Sequence, residues 1–420
     1  MFLETLTEGE LMATLLALAL LLLSAFIGGR LCEKIGAPKV VGEILGGMLW
    51  GGSCLYFLCP EIVGSIFKSY PGEGKVLNVF YQLGLIFLMF SSGYNTEIQV
   101  SHQTRKPLAL LIIGATLIPM LGGAIAAPWF QPWFIGEQSH QEAYRLVFMI
   151  SIAITSIPVI SKIFFDLGIM NTSFSNIVLT ASTLQDLFLW IVLNLAVNMV
   201  SAKQVGLAGM LFTSGMTIAL FGVCLLMAHY HAHWQFRGKA ESILPVAFIV
   251  LLLTVVLLST IKINIMYSAF IVGYLLKFVV IEDLTQIQAR MASAMEVSFA
   301  FFVPIYFALV GIQLNVLHHF SPSRFLLFFG IAFALEAVGV LIMLQLSSFK
   351  QTTIINLAVI MNTRGGPGIV LATVAYSNQI ISIEYFTVLV LTVMLSSLLT
   401  GYWLRYQKEH QPDAFVHLLR

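Results

Sequence analysis

Apolar residues in this chain neither alternate nor repeat as narrow stripes; they come in long blocks separated by short clusters of charge, proline and glycine. A bilayer demands blocks of about 17 to 25 residues from a helix that crosses it. Thirteen such segments can be marked, near 11-30, 40-59, 76-95, 107-128, 143-165, 174-200, 206-229, 242-260, 263-280, 292-315, 324-346, 352-376 and 384-404. Segments of this length satisfy their backbone groups internally, so each predicts a helix, whereas a membrane barrel shows shorter alternating strands. The expected fold is an all-α integral membrane protein with thirteen transmembrane helices. A transmembrane domain over 1-406 precedes a short cytoplasmic tail over 407-420, with no nucleotide-binding regulatory domain attached.

Composition agrees with a lipid-facing chain. Of 420 residues 59% are hydrophobic and 10% charged, against about 25% charged in a soluble domain. A net charge of +1 leaves no basic excess, so nucleic acid is set aside as a partner. Cys32, Cys54, Cys59 and Cys224 lack metal-ligand spacing and read as packing residues, so no metal or cofactor is expected. Cys54 and Cys59 lie near the expected outer surface, where a disulfide is allowed but not required. The amino terminus carries Glu4, Glu8 and Glu10 and no basic residue, unlike a cleaved signal, so the first block is expected to remain.

Lys and Arg in short loops are retained on the cytoplasmic side. With the amino terminus outside, the outer loops hold Lys68, Lys75, Arg145, Lys203, Lys262 and Arg324, Arg364 stays in the membrane, and the rest of the 21 basic residues face inward. The expected orientation is therefore amino terminus outside, carboxyl terminus inside.

An internal repeat appears next. The third segment ends GLIFLMFSSGYNTEI and the tenth PIYFALVGIQLNV; the second segment's VGEILGGMLWG is echoed by SAFIVGYLLK in the ninth. The fifth and twelfth segments each contain a polar break. All three pairs are seven segments apart, and an odd offset inverts the second copy. Segments 1-6 and 8-13 are thus expected to form inverted-topology repeats with segment 7 as linker, a construction of alternating-access carriers.

The breaks are where chemistry is expected. AITSIPVISK places Thr155, Ser156 and Pro158 mid-segment, and MNTRGGPGIV does the same for Asn362, Thr363, Arg364, Gly365, Gly366, Pro367 and Gly368. Proline removes a backbone donor, and unwound backbone at membrane depth is tolerated only against protein or a water-filled cavity. Two discontinuous helices in matching repeat positions point to a substrate site where half-helix ends meet. In the sixth segment, VLTASTLQDLFLWIVLNLAV puts Asp186 inside the apolar run, one turn beyond Ser182 and next to Gln185. A carboxylate there is a functional candidate; the structural alternative is pairing with Lys or Arg. Oxygen ligands without thiolate or imidazole suit a hard alkali cation. A carboxylate drawn out of water holds either a proton or a cation near neutral pH, and that competition yields antiport.

These residues resemble the monovalent cation:proton antiporter family, in particular its second branch of Kef- and NapA-like sodium or potassium exchangers, over nearly the whole chain. The resemblance is carried by PKVVGEILGGMLWG, GLIFLMFSSGYN, FFVPIYFALVGIQL and NTRGGPGIVLA together. It implies that Asp186 carries both ion and proton, and that Gln185, where sodium-type members often have Asp, marks a potassium type. It also implies a homodimer whose core (76-200 and 292-404) moves like an elevator against a scaffold (11-59 and 242-280). Two features depart from the family pattern. Glu336 stands where electrogenic members usually have Lys, and Tyr94-Asn95 follow Gly93 where relatives often end Gly-Leu-Glu. Glu336 is expected to compensate Arg364 or the half-helix ends; a second proton-carrying carboxylate and a solvated face are the alternatives.

Other residues have plainer readings. His229, His231 and His233 read as a hydrated loop cluster, Glu43 as an aid to packing or gating, and Glu296 as an interfacial residue. The 32 Phe residues read as lipid-facing packing. The sequence thus points to a secondary transporter of the inner (plasma) membrane, not an enzyme, exchanging K+ or Na+ for H+. Asp186 is its carrier, and Gln185, Ser182, Thr155, Ser156, Asn362 and Thr363 are candidate ligands. A cation-coupled symporter of a small organic anion, with Arg364 binding the carboxylate, and a membrane sensor without flux are the other readings.

Overall fold

Long runs of Leu, Ile, Phe and Val in lipid leave the backbone no partner but itself, and the chain answers with helices. The computed structural model describes residues 5–95, 105–138, 140–170, 172–229, 234–235, 243–276, 278–280, 284–318 and 320–415. The first helix, α1 (Glu8–Lys34), opens on a capping box in which Thr7 and Glu10 satisfy each other's backbone N–H groups. There follow α2 (Lys39–Met48), the short α3 (Leu55–Leu58) and α4 (Pro60–Phe67), α5 (Glu73–Asn95), α6 (Arg105–Ile112), a π-helical turn (Ile113–Leu117), α7 (Ile118–Phe134), α8 (Gln141–Ile152), α9 (Ile157–Asp166) and α10 (Ser173–His229). The remainder is α11 (Ile243–Thr260), α12 (Ile265–Leu276), α13 (Leu284–Ala300), α14 (Phe302–Gln313), α15 (Pro322–Leu344), α16 (Gln351–Met361), α17 (Gly366–Ser377) and α18 (Ile383–His410). Among the described residues the extended structure is slight: Trp234–Gln235 pairs in parallel with Val279–Val280, and Ile135 forms an isolated bridge with Ile381.

Nine helical stretches among the described residues are long and apolar enough to cross a membrane, and Leu211–Val223, Leu244–Thr260 and Ile265–Leu276 are shorter apolar helices. The expected boundaries need correction in places. The second segment ends at Met48 rather than near 59, because Gly51, Gly52 and Ser53 stop it and Pro60 starts a separate helix. The tenth is interrupted at Phe301, since Pro304 has no N–H for the carbonyl of Ala300.

The sixth and seventh segments, expected as two helices, fall within the single helical run α10. Asn194 Nδ2 nevertheless lies 2.6 Å from Thr217 Oγ1. A straight helix would separate those residues by about 34 Å, so the chain turns back on itself between them, and α10 contains two antiparallel arms.

By their contacts the helices divide into two compact units, α1–α5 with α11–α14 and α6–α10 with α15–α18. In the first, glycine lets backbones touch. A Cβ on Gly93 would meet the carbonyl of Phe270, and one on Gly273 would meet that of Phe90, so α5 and α12 cross at reciprocal glycines. Gly47 and Gly311 do the same for α2 and α14. In the second unit Gly114 and Gly339 face each other's carbonyls where the π-helical turn meets α15.

Candidate functional site

The second unit contains both helix breaks, and proline explains how they interlock. Pro367 stands four residues after Thr363 and has no N–H for its carbonyl. Ser156 N–H fills that place, donating to Thr363 O at 2.8 Å. Ser156 is thereby lost as a donor to Ile152, whose carbonyl ends α8. Arg364 Nη2 donates there instead, at 2.8 Å. The carbonyl of Met361, ending α16, accepts from Thr155 Oγ1 at 2.9 Å. Each break therefore supplies donors to the carbonyls that the other leaves open. The negative end of α8 takes a guanidinium, as helix-terminus electrostatics favour.

Gln185 braces this crossing. Its Nε2 donates to Ala115 O at 3.0 Å and also to Ala153 O, while its Oε1 lies 2.6 Å from Thr155 Oγ1. Ala115 is available because Pro119, four residues on, has no N–H to offer it, and the backbone there takes the π-helical turn. Gln185 thus ties α10 to the α6–α7 region and to the first break.

Glu336 and Arg364 form an ion pair, Oε2 to Nη2 at 3.4 Å, with both side chains essentially inaccessible. Thr155 Oγ1 lies 3.5 Å from Glu336 Oε1. Arg364 N–H donates to Ser396 Oγ at 3.3 Å.

Asp186 is different. It is 2% exposed, and neither carboxylate oxygen has a hydrogen-bond partner. The same holds for Ser182 Oγ one turn away, and for Ser156 Oγ, Asn362 Oδ1 and Thr363 Oγ1 in the breaks, all fully buried. Such groups are rare in a folded protein and call for an explanation. Every unpartnered atom in this set is oxygen, the hard donor that alkali cations prefer.

The predicted residues therefore fall into three groups. Thr155 and Gln185 are engaged in bracing; Glu336 and Arg364 neutralise each other; Asp186, Ser182, Ser156, Asn362 and Thr363 keep oxygens free. Sequence reasoning missed Ala115 and Ser396 as partners, and Thr116, whose buried hydroxyl is also unpartnered. Pro119 was the available signal for Ala115. Among the described residues no cluster of His, Cys, Asp and Glu could hold a metal ion, and Cys32, Cys54 and Cys59 are free thiols. Glu43 is paired with Lys39 at 3.2 Å, and Glu296 is exposed. The side chains of His229, His231 and His233 lie outside the described residues.

Known proteins resemble this chain over most of its length. The profile of the family described as sodium/hydrogen exchanger, transmembrane, matches residues 21–406. The chain belongs to this family. Cation/H(+) antiporter 15 of Arabidopsis thaliana is 25% identical over 379 residues, which cover 85% of this chain but only 43% of that protein, so the chain spans less than half its length. The Na(+)/H(+) antiporter of Enterococcus hirae is 22% identical over 392 residues, covering 93% of this chain and 96% of the relative. The fold is that of the sodium proton antiporter MjNhaP1 from Methanocaldococcus jannaschii, with a TM-score of 0.64 and 17% identity over 96% of this chain and 98% of the other. The family and these relatives are secondary transporters rather than enzymes, and the chain is a multi-pass membrane protein.

Proposed function

We propose that this protein exchanges a monovalent cation for a proton across the inner membrane, by alternating access, with Asp186 holding one or the other in turn. The observation that carries the reading is the unpartnered state of both Asp186 oxygens at 2% exposure, within the unit that also holds unpartnered oxygens of Ser182, Ser156, Asn362 and Thr363. A carboxylate so placed must be neutralised before the site can move through lipid, by a proton or by a cation, and the two compete for it. Glu336 and Arg364 cancel and add no net charge, so one monovalent ion satisfies the site. Ser182, Ser156, Asn362 and Thr363 supply neutral oxygens to a dehydrated cation; Thr155 and Gln185 hold the frame. The neutral Gln185 lowers the charge of the site and favours potassium, the more easily dehydrated ion.

The architecture of this reading is thirteen spans in two inverted repeats, amino terminus outside, in a homodimer. The glycine crossings support the repeat. A seven-segment offset turns the close contact of segments 2 and 10, at Gly47 and Gly311, into one of segments 9 and 3, and Gly273 and Gly93 meet there. Alternating access is elevator-like, with the body that holds both breaks moving against the rest. Symport of an organic anion through Arg364 is disfavoured, because Glu336 already neutralises its charge and its Nη2 donates to the Ile152 carbonyl, which leaves the buried Nε as the unpartnered donor.

The test is flux in liposomes of purified protein. An imposed pH gradient is expected to drive K+ and, less well, Na+, and Asp186→Asn is expected to abolish exchange in a protein of unchanged fold. Cation flux driven by the pH gradient in the Asn variant would remove Asp186 from the mechanism.

A further inference from the structure

Ser182 and Asp186 are the first two members of a longer series. On the first arm of α10, polar side chains recur every fourth residue: Ser182, Asp186, Trp190, Asn194 and Asn198. Each step of four advances about 6 Å along a helix and about 40° around it, so the five form one slanting ridge. All are buried, at 0%, 2%, 3%, 1% and 2% exposure. Between Asp186 and Asn198 the ridge covers about 18 Å, over half the hydrocarbon thickness of a bilayer.

Hydrogen bonding along the ridge is uneven. Ser182 Oγ, both Asp186 oxygens, Trp190 Nε1 and both amide atoms of Asn198 have no partner. Asn194 alone in the series is tied on both sides. Its Nδ2 donates to Thr217 Oγ1 at 2.6 Å, Thr217 passes the chain on to Thr213 O at 2.8 Å, and its Oδ1 accepts the backbone N–H of Asn264 at 2.9 Å. Apolar side chains at these positions would pack a membrane helix without such demands. An amide whose donor and acceptor are both buried and unpaired, three turns from an equally unpaired carboxylate, calls for small polar occupants.

We propose that this ridge is a file of water molecules through which protons reach Asp186 from the membrane face near Asn198, with the Asn194–Thr217–Asn264 clasp as its narrowest point. The inference rests on the reading of Asp186 as the exchanging carboxylate. Each water in the file accepts one proton and gives one up, so the net step is transfer of one proton from bulk water to Asp186 or back. Asn198 offers the first water one donor and one acceptor, Trp190 Nε1 donates to a water beside Asp186, and neither group itself gains or loses a proton.

The experiment is side-specific thiol labelling. Single cysteines are placed in a chain whose Cys32, Cys54, Cys59 and Cys224 are replaced by alanine, and reacted with a small, charged, membrane-impermeant methanethiosulfonate. Phe188, close in depth to Trp190 but 38% exposed on the surface of the chain, supplies the reference. Asn198→Cys is expected to react from one side of the membrane only, at least tenfold faster than Phe188→Cys, and its labelling is expected to slow pH-driven exchange at least tenfold. Asn198→Leu, of similar size but unable to hold water, is expected to slow exchange at least fivefold with the apparent cation affinity unchanged; Asn198→Ser is expected to restore most of the rate. Reaction of Asn198→Cys no faster than Phe188→Cys, or full-rate exchange by Asn198→Leu, would overturn the file. The labelling result does not depend on Asp186, whose role is read separately from flux in Asp186→Asn, so failure of the file and failure of the carrier reading are told apart.

Discussion

Gln185 shows how one side chain can decide the geometry around an unpaired carboxylate. Its amide donates to carbonyls of Ala115 and Ala153, and its oxygen meets the hydroxyl of Thr155. Gln185→Leu strands both carbonyls, at a cost of about 1–3 kcal/mol for each buried group left unsatisfied. A lowered unfolding midpoint in detergent is the expected outcome, together with a fall in turnover larger than that in cation affinity, since the brace does not use its atoms on the ion. Unchanged stability would mean that Gln185 is a ligand and not a brace. The sequence made Asp186 and its neighbours legible because ionisable and amide residues stand out in an apolar run. It did not make their division of labour legible, because Gln185, Thr155 and Ser156 are equally polar as letters. Only the hydrogen bonds separate Thr155, with its acceptors, from Ser156, whose hydroxyl has none.

Among the elements, the two broken helices were readable because Pro158 and Pro367 stand in apolar runs flanked by polar residues. Their interlocking was not, for it depends on which carbonyl each proline leaves open across space. The hairpin within α10 reverses the difficulty. Hydropathy divides it near Ser201–Gln204, and it is the contact of Asn194 with Thr217 that shows the chain reversing between those two residues. Helix crossings give the element-scale prediction. Gly93 and Gly273 admit each other's backbone, so Gly273→Ala forces α5 and α12 apart at a contact with no flexible side chain to yield. Overpacking of this kind costs about 1–3 kcal/mol, and a matching loss of thermal stability is expected. Gly215→Ala, with nothing within 4 Å of the added carbon, is expected to leave stability unchanged or raise it by up to about 1 kcal/mol, the helix propensity difference. Equal effects from the two substitutions would show that the close crossing has no energetic weight.

At the scale of the whole molecule the question is how much charge crosses the membrane in one cycle. Asp186 is the one buried acid of the site without a cationic partner, since Glu336 and Arg364 lie 3.4 Å apart and are both inaccessible. If that pair persists through the cycle, the site is neutral with one cation bound and neutral with one proton bound, and exchange is one for one. Flux is then expected to be insensitive to a membrane potential clamped by an independent ion gradient, and no current should accompany it. Glu336 offers the sharper test of the same count. As a structural partner, its conversion to Gln leaves Arg364 buried and unpaired, which costs about 3–5 kcal/mol, but the stoichiometry stays one for one. Glu336→Gln combined with Arg364→Met removes both charges and is expected to regain much of that stability, as replacing a whole buried pair often does. If instead Glu336 releases Arg364 and carries a second proton, the unaltered protein will generate a current during pH-driven exchange, and Glu336→Gln will abolish the current while exchange continues. A current of that kind would overturn both the fixed pair and the one-for-one count.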